Sequence, residues 1–598
     1  MKFRWLLSPA QPLLAQHLSQ ELKIPGLLAQ CLLNRGYSDS STVRSFLEPR
    51  LKNLRDPFLL DGMAAAVERL FSARERKERL VIFGDYDVDG VASAAILLEV
   101  LRPLGWNVEV YLPHRLEEGY GLSMDAVEAC LRKFNPNLLL AVDCGSSSPK
   151  SVAYLRECGV DALILDHHQV SMPLPEALAI VNPHAEQGRG GHQGGVEIGS
   201  VVSNRAAPTD HKELCSAGLS FKLAHALVKR GRETGLAGAA EYDLRPLLDL
   251  VALATIADVV PLTGENRILV SAGLQRLNTT QRLGLIALKK LAQSPAVIGA
   301  HEVSFQLAPR LNAAGRLESA EDALRLLLAS SMAEAMPLAQ RLDAQNRERQ
   351  KIEREIAGEV IEAVKSKFQP ENDFVIVEGK SPWHIGVVGI VASRVLQEFY
   401  RPTIIVGGGE GDQWRGSGRS IAGFDLAAGL RECGDLLLRH GGHAMAAGLT
   451  ISAANLGSFR ERLNEVARRN IPREHLEPSL QLDAETRLKE ITMGSVRALE
   501  RIRPAGQGNA PVRFCASHLV HQRPLQRVGG EKQHVKMWVT DGTSTHEAMW
   551  WRAGNESLPV GKFDLAFAPE INSYNGTFGV QLRVLDWRMA DGNGMQNT

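Results

Sequence analysis

The sequence predicts a multidomain α/β protein whose chain closes in a small β-barrel. Three observations predict this. From Leu80 the chain alternates short apolar runs, each ended by an acidic or glycine-rich turn, with helix-like stretches of about 10–15 residues. The same texture returns after Phe374. Beyond about Leu480 it gives way to strand-like segments such as His534-Val-Lys-Met-Trp-Val-Thr and Phe563-Asp-Leu-Ala-Phe-Ala, with polar turns such as Asn575-Gly between them, and their number and length fit a barrel of the OB type. The 598 residues suffice for several domains of roughly 100–200 residues. Hydrophobic residues make up 44% and charged residues 23%, which excludes wholesale disorder. Because 68 Lys+Arg balance 68 Asp+Glu, any site for a polyanion must be a local patch.

Residues 1–60 alternate amphipathic pieces with Pro and Gly and predict a small helical lead-in packed on the next segment of the chain. Prolines 9 and 12 interrupt the apolar start of the chain, so neither export nor a membrane span is expected. Residues 61–320 are expected to form the first α/β domain, with 186–211, of turn composition, as a long inserted loop. Residues 321–370 predict linking helices. From Leu338 to Phe368 there is no proline, and Ile352, Ile356, Val360 and Val364 repeat every four on a charged background, the pattern of a long exposed helix of about 46 Å. Residues 371–470 form the second α/β domain, with strands at Phe374, Thr403 and Gly448 and helices over 387–397 and 425–438; residues 471–598 form the barrel. Seven scattered cysteines without a CxxC pair argue against a zinc ribbon or disulfide scaffold and point to a reducing cytoplasm.

The chemistry gathers at strand ends. Leu80-Val-Ile-Phe-Gly reads as a buried strand that stops at Asp85-Tyr-Asp-Val-Asp-Gly, so Asp85, Asp87 and Asp89 crowd one strand-to-helix turn. Three carboxylates so close disfavour joint ionisation unless a cation compensates them. A second strand, Leu138 to Val142, stops at Asp143, and a third, Ala162 to Leu165, stops at Asp166-His167-His168. In an open parallel sheet, ligands bind outside the carboxyl ends of the strands, so these residues converge on one crevice. Asp258 lies near the end of an all-round apolar element starting at Leu247 and needs a neutralising partner, whereas Asp249 at its start reads as a structural cap. Asp87, Asp89, Asp143, His167 and Asp258 together are oxygen-rich with one or two imidazoles, a set that suits Mn2+ or Mg2+. Two ions would fit this many ligands, as in two-metal phosphoester hydrolysis.

These residues resemble the DHH phosphoesterase superfamily, named for an Asp-His-His such as that at 166–168, and within it the 5′ to 3′ exonucleases specific for single-stranded DNA. The likeness runs through Pro113-His-Arg-Leu-Glu-Glu-Gly-Tyr-Gly, Val142-Asp-Cys-Gly, Ile256-Ala-Asp-Val-Val-Pro, Ala308-Pro-Arg-Leu-Asn-Ala-Ala-Gly-Arg, Trp383-His-Ile-Gly-Val-Val-Gly, Ser417-Gly-Arg-Ser and Gly441-Gly-His-Ala-Met. The resemblance implies that Asp87, Asp89, Asp143, His167 and Asp258 bind the metals, with Asp85 close by and His168 supporting the site or the scissile phosphate. It implies that Arg115, Ser417 and Arg419 hold the 5′ phosphate, that Arg316, Arg394 and His384 line the strand's path, and that Tyr120 stacks on a base. His443, after two glycines, is a further phosphate candidate. The second α/β domain becomes one of the DHHA1 type. On the barrel, Lys532, His534, Lys536 and Trp538 on one segment, with Tyr574 and Phe578 on another, suit single-strand binding by stacking and charge.

The expected activity is metal-dependent 5′ to 3′ hydrolysis of single-stranded DNA to 5′ mononucleotides, the strand passing between the two lobes. The resemblance also implies a role in recombination and repair, a monomer, and a helicase and a single-strand-binding protein as partners. The rival readings are hydrolysis of short oligonucleotides or cyclic dinucleotides, and a non-catalytic scaffold that holds single strands.

Overall fold

The structure, a computed structural model, describes residues 3–114, 118–119, 121–170, 172–185, 213–408, 411–554, 556–572 and 578–590. Arg115, Tyr120, Tyr574 and the expected loop at 186–211 lie outside the described residues. The chain forms two compact units: a larger one of Trp5–Gly315, Ser319–Gln340 and Gln481–Thr598, and a smaller one of Met1–Arg4, Arg316–Glu318 and Arg341–Leu480. None of the described helices is long and apolar enough to cross a membrane.

The larger unit opens with three short helices, α1 (Pro12–Leu22), α2 (Gly26–Asn34) and α3 (Ser40–Leu47). A five-stranded sheet comes next, built from β1 (Arg79–Gly84), β2 (Asn107–Tyr111), β3 (Leu138–Val142), β4 (Asp161–Leu165) and β5 (Ala179–Val181). All its pairings are parallel, in the order β2-β1-β3-β4-β5. Every residue of β3 is buried, and in β1 only Arg79 is not, as expected where both faces of a parallel sheet are covered. One cover is α4 (Val88–Leu101), apolar and buried along nearly its whole length. In this strand order the connection reverses direction between β1 and β3, and the crevice beyond their carboxyl ends is where such sheets bind ligands. Asp85 follows β1 and Asp143 follows β3.

Two further helices reach that crevice: α5 (Ser216–Thr234) at its N-terminus and α6 (Leu248–Ala257), buried almost throughout, at its C-terminal Asp258. Asp249 does not act as a simple cap. Its Oδ2 accepts from Thr280 Oγ1 at 2.7 Å and pairs with Arg282 at 3.4 Å, because a carboxylate this deeply buried requires a cation. Next come α7 (Gly264–Asn278) and α8 (Ala308–Leu317).

The helix expected over 338–368 is α9 (Met332–Lys365), which starts earlier and carries Pro337 within it. It is not the exposed rod its charge suggested. Ile356, Val360 and Val364 are buried in one core of the smaller unit with Ile376, Trp383, Val387, Val391, Val395 and Ile405, and Ile352 packs against it. The period-four stripe therefore marks a packed helix face, and the charged residues cover the other side.

The smaller unit holds a sheet of β6 (Ile376–Lys380), β7 (Thr403–Gly407), β8 (Gln413–Arg419), β9 (Leu437–Gly442) and β10 (Ala446–Ser452), in the order β9-β10-β8-β7-β6. Only β6 and β7 pair in parallel. Helix α10 (Val388–Phe399) joins them. The helix expected over 425–438 ends at Glu432 as α11 (Leu426–Glu432), and Leu437 onward forms β9. The pairing of β9 with β10 overrides the local helical pattern, as tertiary context commonly does.

The barrel belongs to the larger unit. Strands β11 (Phe514–Val528), β12 (His534–Thr540), β13 (Thr545–Trp550), β14 (Phe563–Asn572) and β15 (Gly579–Met589) pair as β11-β12-β13-β15-β14, and β14 pairs back to β11 to close the ring. The lead-in touches the segment that follows it, Phe46 of α3 stacking with Arg267 at 3.7 Å, and also packs on the far end of the chain. Leu18, Leu28, Leu32 and Phe46 share one core with Val496, Phe514, Met537 and Phe567 of the barrel region, so the two ends of this unit's chain are stitched together. The seven cysteines are free thiols, and all but Cys158 are buried.

Candidate metal centre and phosphate corner

Asp87 caps α4: its Oδ1 accepts from the backbone N–H groups of Asp89 at 2.9 Å and Gly90 at 3.2 Å. The last glycine of Asp85-Tyr-Asp-Val-Asp-Gly is required by close approach, since a Cβ at Gly90 would lie 2.5 Å from the Asp85 carbonyl oxygen. Asp143 takes φ +64, and Val259, just past Asp258, takes φ +61. Left-handed backbone is costly for any residue with a Cβ, and for a β-branched one it is an outlier, so strain is concentrated where the carboxylates meet.

The turns bring three overlapping triads together: Asp85, Asp87 and Asp143; Asp89, His167 and Asp258; and Asp143, His167 and His168. Within each, one potential ligand atom per residue lies within 4.8 Å of the others. His167 Nε2 stands 3.4 Å from Asp143 Oδ1, 3.4 Å from Asp258 Oδ2 and 3.8 Å from Asp89 Oδ2. Yet both this nitrogen and Asp258 Oδ2 are buried without a hydrogen-bond partner.

The electrostatics carry the same message. Burial pushes the Asp143 carboxyl well above the ordinary range, and the charges of Asp89, Asp87, Asp85 and Asp258 add to it. Burial likewise raises Asp258 to about 9, helped by Asp89 and Asp87. Asp89 is raised by burial against the pull of His167, and burial lowers His167. Carboxylates whose ionisation is opposed by burial and by one another, around an imidazole nitrogen that bonds to none of them, fit divalent cations that would let all of them ionise. The oxygen-rich donor set matches Mn2+ or Mg2+.

Asp166 stands apart from the ligand groups. Its Oδ1 accepts from the His167 and His168 backbone N–H groups and faces His168 Nδ1 at 2.8 Å, while its Oδ2 accepts from Ser146 N at 3.0 Å. Burial opposes its ionisation, but the His168 ring and these N–H groups hold it well below the usual range. Burial would also lower His168, but the bond to Asp166 raises it to about 9.

Sequence reasoning missed the supports. Ser216 N and Ala217 N, at the start of α5, donate to Asp89 Oδ2 and Oδ1 at 2.7 and 2.8 Å, and Ser216 Oγ donates to Asp143 Oδ1 at 3.0 Å. Asn312 of α8 accepts from Val88 N at 2.9 Å and steadies the acidic turn. Asn182 donates to Ser146 Oγ at 2.8 Å and to the His168 carbonyl at 2.9 Å. The small-residue run Cys215-Ser-Ala-Gly opening an apolar helix was a visible signal for the first of these.

The second group of expected residues lies in the smaller unit. Arg419 Nη1 donates to Ser417 Oγ at 3.0 Å and to the Gly418 carbonyl at 2.8 Å. Both side chains abut Gly389 in the first turn of α10, where a Cβ would come within 2.9 Å of Ser417 Oγ and 3.2 Å of Arg419 Nη2. Arg316 Nη1 donates to the Gly386 carbonyl at 3.2 Å, and Gly386 N donates to His384 Nδ1 at 3.1 Å. Arg316 and Arg419 are thus gathered near the N-terminus of α10, a placement whose donors and charge suit an anion. Arg394, farther along α10, pairs with Glu353. His443 is exposed in the β9–β10 turn, its backbone N–H donating to Ala446 O at 2.8 Å. On the barrel, Arg523 and Lys536 lie 5.5 and 5.1 Å from the Trp538 ring, Lys536 also pairs with Glu547 at 2.7 Å, and Phe578 is exposed.

Comparison with known proteins agrees with this organisation. Residues 79–255 match the DHH family N-terminal domain, 372–469 the DHHA1 domain and 482–586 the RecJ OB domain. The chain is 34% identical over 600 residues to the single-stranded-DNA-specific exonuclease RecJ of Bacillus subtilis, covering 99% of this chain and 72% of that protein. It is similar to the crystal structure of RecJ with Mn2+ from Thermus thermophilus, with a TM-score of 0.81 and 29% identity over 98% of this chain and 80% of that one. The Mg2+ complex of the Thermus protein matches with a TM-score of 0.76 and 28% identity, over 98% and 79% of the two chains.

Proposed function

The chain belongs to the RecJ family of single-stranded-DNA-specific exonucleases, and from that premise we propose how its residues perform the reaction. It is a metal-dependent DNA exonuclease of the DHH phosphoesterase superfamily that degrades single strands from the 5′ end to 5′ mononucleotides. Asp85, Asp87 and Asp143 would hold one cation, and Asp89, His167 and Asp258 a second, with Asp143 and His167 near enough to serve both groups. When bound, the two ions supply Lewis-acid polarisation of the scissile phosphodiester and neutralise charge on the leaving 3′ oxygen.

The protein's own residues do the positioning. The N-terminus of α5 grips Asp89 through two N–H groups, and Ser216 orients Asp143. His168, whose ring is held in place and drawn toward its protonated form by Asp166, supports the site and the scissile phosphate. Ser417 and Arg419 bind the terminal 5′ phosphate, with Arg316, His384, Arg394 and His443 along the same backbone. Arg115 and Tyr120 join them as 5′-phosphate and base contacts. Each hydrolysis breaks the bond from phosphorus to the 3′ oxygen and leaves a fresh 5′ phosphate on the shortened strand, so a pocket for that group receives every product as the next substrate. The barrel's Trp538, with Lys536 and Arg523, offers a stacking face that tolerates any base. A cytoplasmic monomer, supplied with single strands by a helicase and a single-strand-binding protein in recombination and repair, completes the proposal.

The observation that carries the reading is the buried, unpartnered meeting of His167 Nε2 with Asp89, Asp143 and Asp258. A scaffold has no use for a complete ligand set, and an enzyme of short oligonucleotides or cyclic dinucleotides has none for the added barrel. The test is digestion of one oligonucleotide, labelled at either end, single-stranded or annealed, with Mn2+, with Mg2+ or with chelator. Mononucleotide release from the 5′ end of the single strand, abolished by chelator, is expected. Binding without cleavage would support the scaffold instead, and cleavage confined to very short oligonucleotides the small-substrate enzyme.

A further inference from the structure

Helix α9 carries a buried polar cluster that the metal chemistry does not use. Asn346, Arg349 and Glu353 lie on one face at spacings of three and four, and all three are buried, Glu353 at only 3% exposure. Arg349 Nη1 bonds Glu353 Oε2 at 3.0 Å, and its Nη2 bonds Asn346 Oδ1 at 3.1 Å. The other Glu353 oxygen takes Arg394 Nε from α10. One carboxylate thus sits between two guanidinium groups, and the cluster keeps a surplus positive charge. Burying such a triad is costly, and the buried Arg349 Nε has no acceptor.

The cost has a direction. The Arg394 side chain is 44% exposed while Glu353 is 4% exposed, so the triad delivers its charge to the surface through Arg394 alone. With Nε held by Glu353, the Nη groups of Arg394 have no partner among the described residues. Arg394 lies five residues beyond Gly389, the contact of Ser417 and Arg419, which is about 7.5 Å along the helix axis. Five residues also turn about 140° around the axis, so the two positions flank the partly exposed side of α10 from its two edges. A guanidinium fixed at one nitrogen and open at two is pre-organised for the fork-like grip of a phosphate.

We propose that Glu353, backed by Arg349 and Asn346, is a positioning residue that fixes Arg394 as a second backbone-phosphate clamp, about 7.5 Å along α10 from the Ser417–Arg419 corner. This rests on the reading of that corner as a phosphate site. Glu353 touches no substrate and acts only through Arg394.

The test uses the full-length, metal-loaded enzyme on a 5′-phosphorylated single strand, measuring KM, kcat and the salt dependence of strand binding. Arg394→Ala is expected to raise KM about tenfold with kcat within twofold, and to flatten the salt dependence by nearly one ion. Glu353→Gln, which keeps the shape and removes the charge, is expected to raise KM several-fold and to add nothing in the Arg394→Ala background. Arg394→Lys keeps the charge on a compact ammonium without the fixed fork, and is expected to raise KM as Arg394→Ala does while keeping the wild-type salt dependence; it answers the question even where Glu353→Gln does not fold. Wild-type KM in Arg394→Lys, or a Glu353→Gln effect that adds in full to that of Arg394→Ala, overturns the positioning role while leaving Arg394 a phosphate contact. Unchanged KM and salt dependence in Arg394→Ala instead overturns the underlying reading.

Discussion

At the scale of single residues, the metal centre is governed by the cost of leaving charge unpaired in a buried place. Asp143 is the clearest case, being buried at 2% exposure, in a left-handed conformation and raised by burial and four neighbouring carboxylates. Asp143→Ala is expected to abolish cleavage and to weaken Mn2+ binding in calorimetry, while strand binding in chelator stays within about twofold; retained turnover would remove Asp143 from the ligands. Ser216 acts one step further out. Its hydroxyl orients Asp143 and its N–H orients Asp89, and outer partners of metal ligands are typically worth about 10–100-fold in affinity. Ser216→Ala, which removes only the hydroxyl bond, is expected to weaken Mn2+ binding about tenfold, with activity restored by excess metal; a deficit that added metal cannot repair would place its role elsewhere. The proposed recognition of the 5′ end is tested at Arg419. Arg419→Ala is expected to slow 5′-phosphorylated strands far more than 5′-hydroxyl ones, and equal losses on both would contradict a terminal-phosphate pocket.

At the scale of elements, the site is made by ends. Two strands stop at Asp85 and Asp143 either side of the point where the strand order reverses, a third stops before the two histidines, α6 ends at Asp258, and α5 begins against Asp89. Carboxyl ends of parallel strands cluster because the crossovers must all run the same way. The barrel shows the same economy in its β12–β13 turn. Asp541 Oδ2 accepts from Leu488 N at 2.8 Å, and its Oδ1 accepts from Thr543 N at 2.9 Å and Thr543 Oγ1 at 2.6 Å. Burial alone would raise this carboxyl, but the bonds hold it at about 2. Because the folded value lies below the unfolded one of roughly 3.9, the contribution is complete above about pH 5 and is lost as the pH falls from about 4 to 2. The group is largely solvated, so the effect is no more than roughly 1 kcal/mol. Denaturant titrations are expected to show wild-type stability falling toward that of Asp541→Asn across this window, and a constant gap would exclude the linkage. The strand-end acids were legible because a buried apolar run that stops at an acid is a local pattern. The supports Ser216, Asn312 and Glu353 were not, because their partners lie 73, 224 and 41 positions away.

At the scale of the whole molecule, Arg267 shows how distant segments of the larger unit are tied. This fully buried guanidinium donates to the carbonyl oxygens of Phe46, Ile502, Arg501 and Arg503 at 2.8–2.9 Å and stacks on the Phe46 ring at 3.7 Å. Burial lowers it to about 10, well above neutral pH. One side chain thus satisfies backbone oxygens from the end of α3 and from the approach to the barrel. Arg267→Met would strand those acceptors at a cost of roughly 3–5 kcal/mol. Thermal unfolding is expected to begin roughly 5–10 °C lower, with Mn2+ affinity of the folded protein unchanged; an unaltered transition would show that water replaces the guanidinium. The sequence by itself determined the α/β character, the closing barrel, the strands that end in acids and the divalent-metal chemistry, because apolar runs, their stops and residue types are all local. Only the tertiary structure decided that the period-four stripe of α9 is a packed face, that the first helices belong with the barrel, that 437–442 is a strand, and which N–H groups hold each carboxylate. Those outcomes depend on what lies opposite a residue once the chain has closed, and burial, pairing and charge compensation are properties of that meeting rather than of the residue alone.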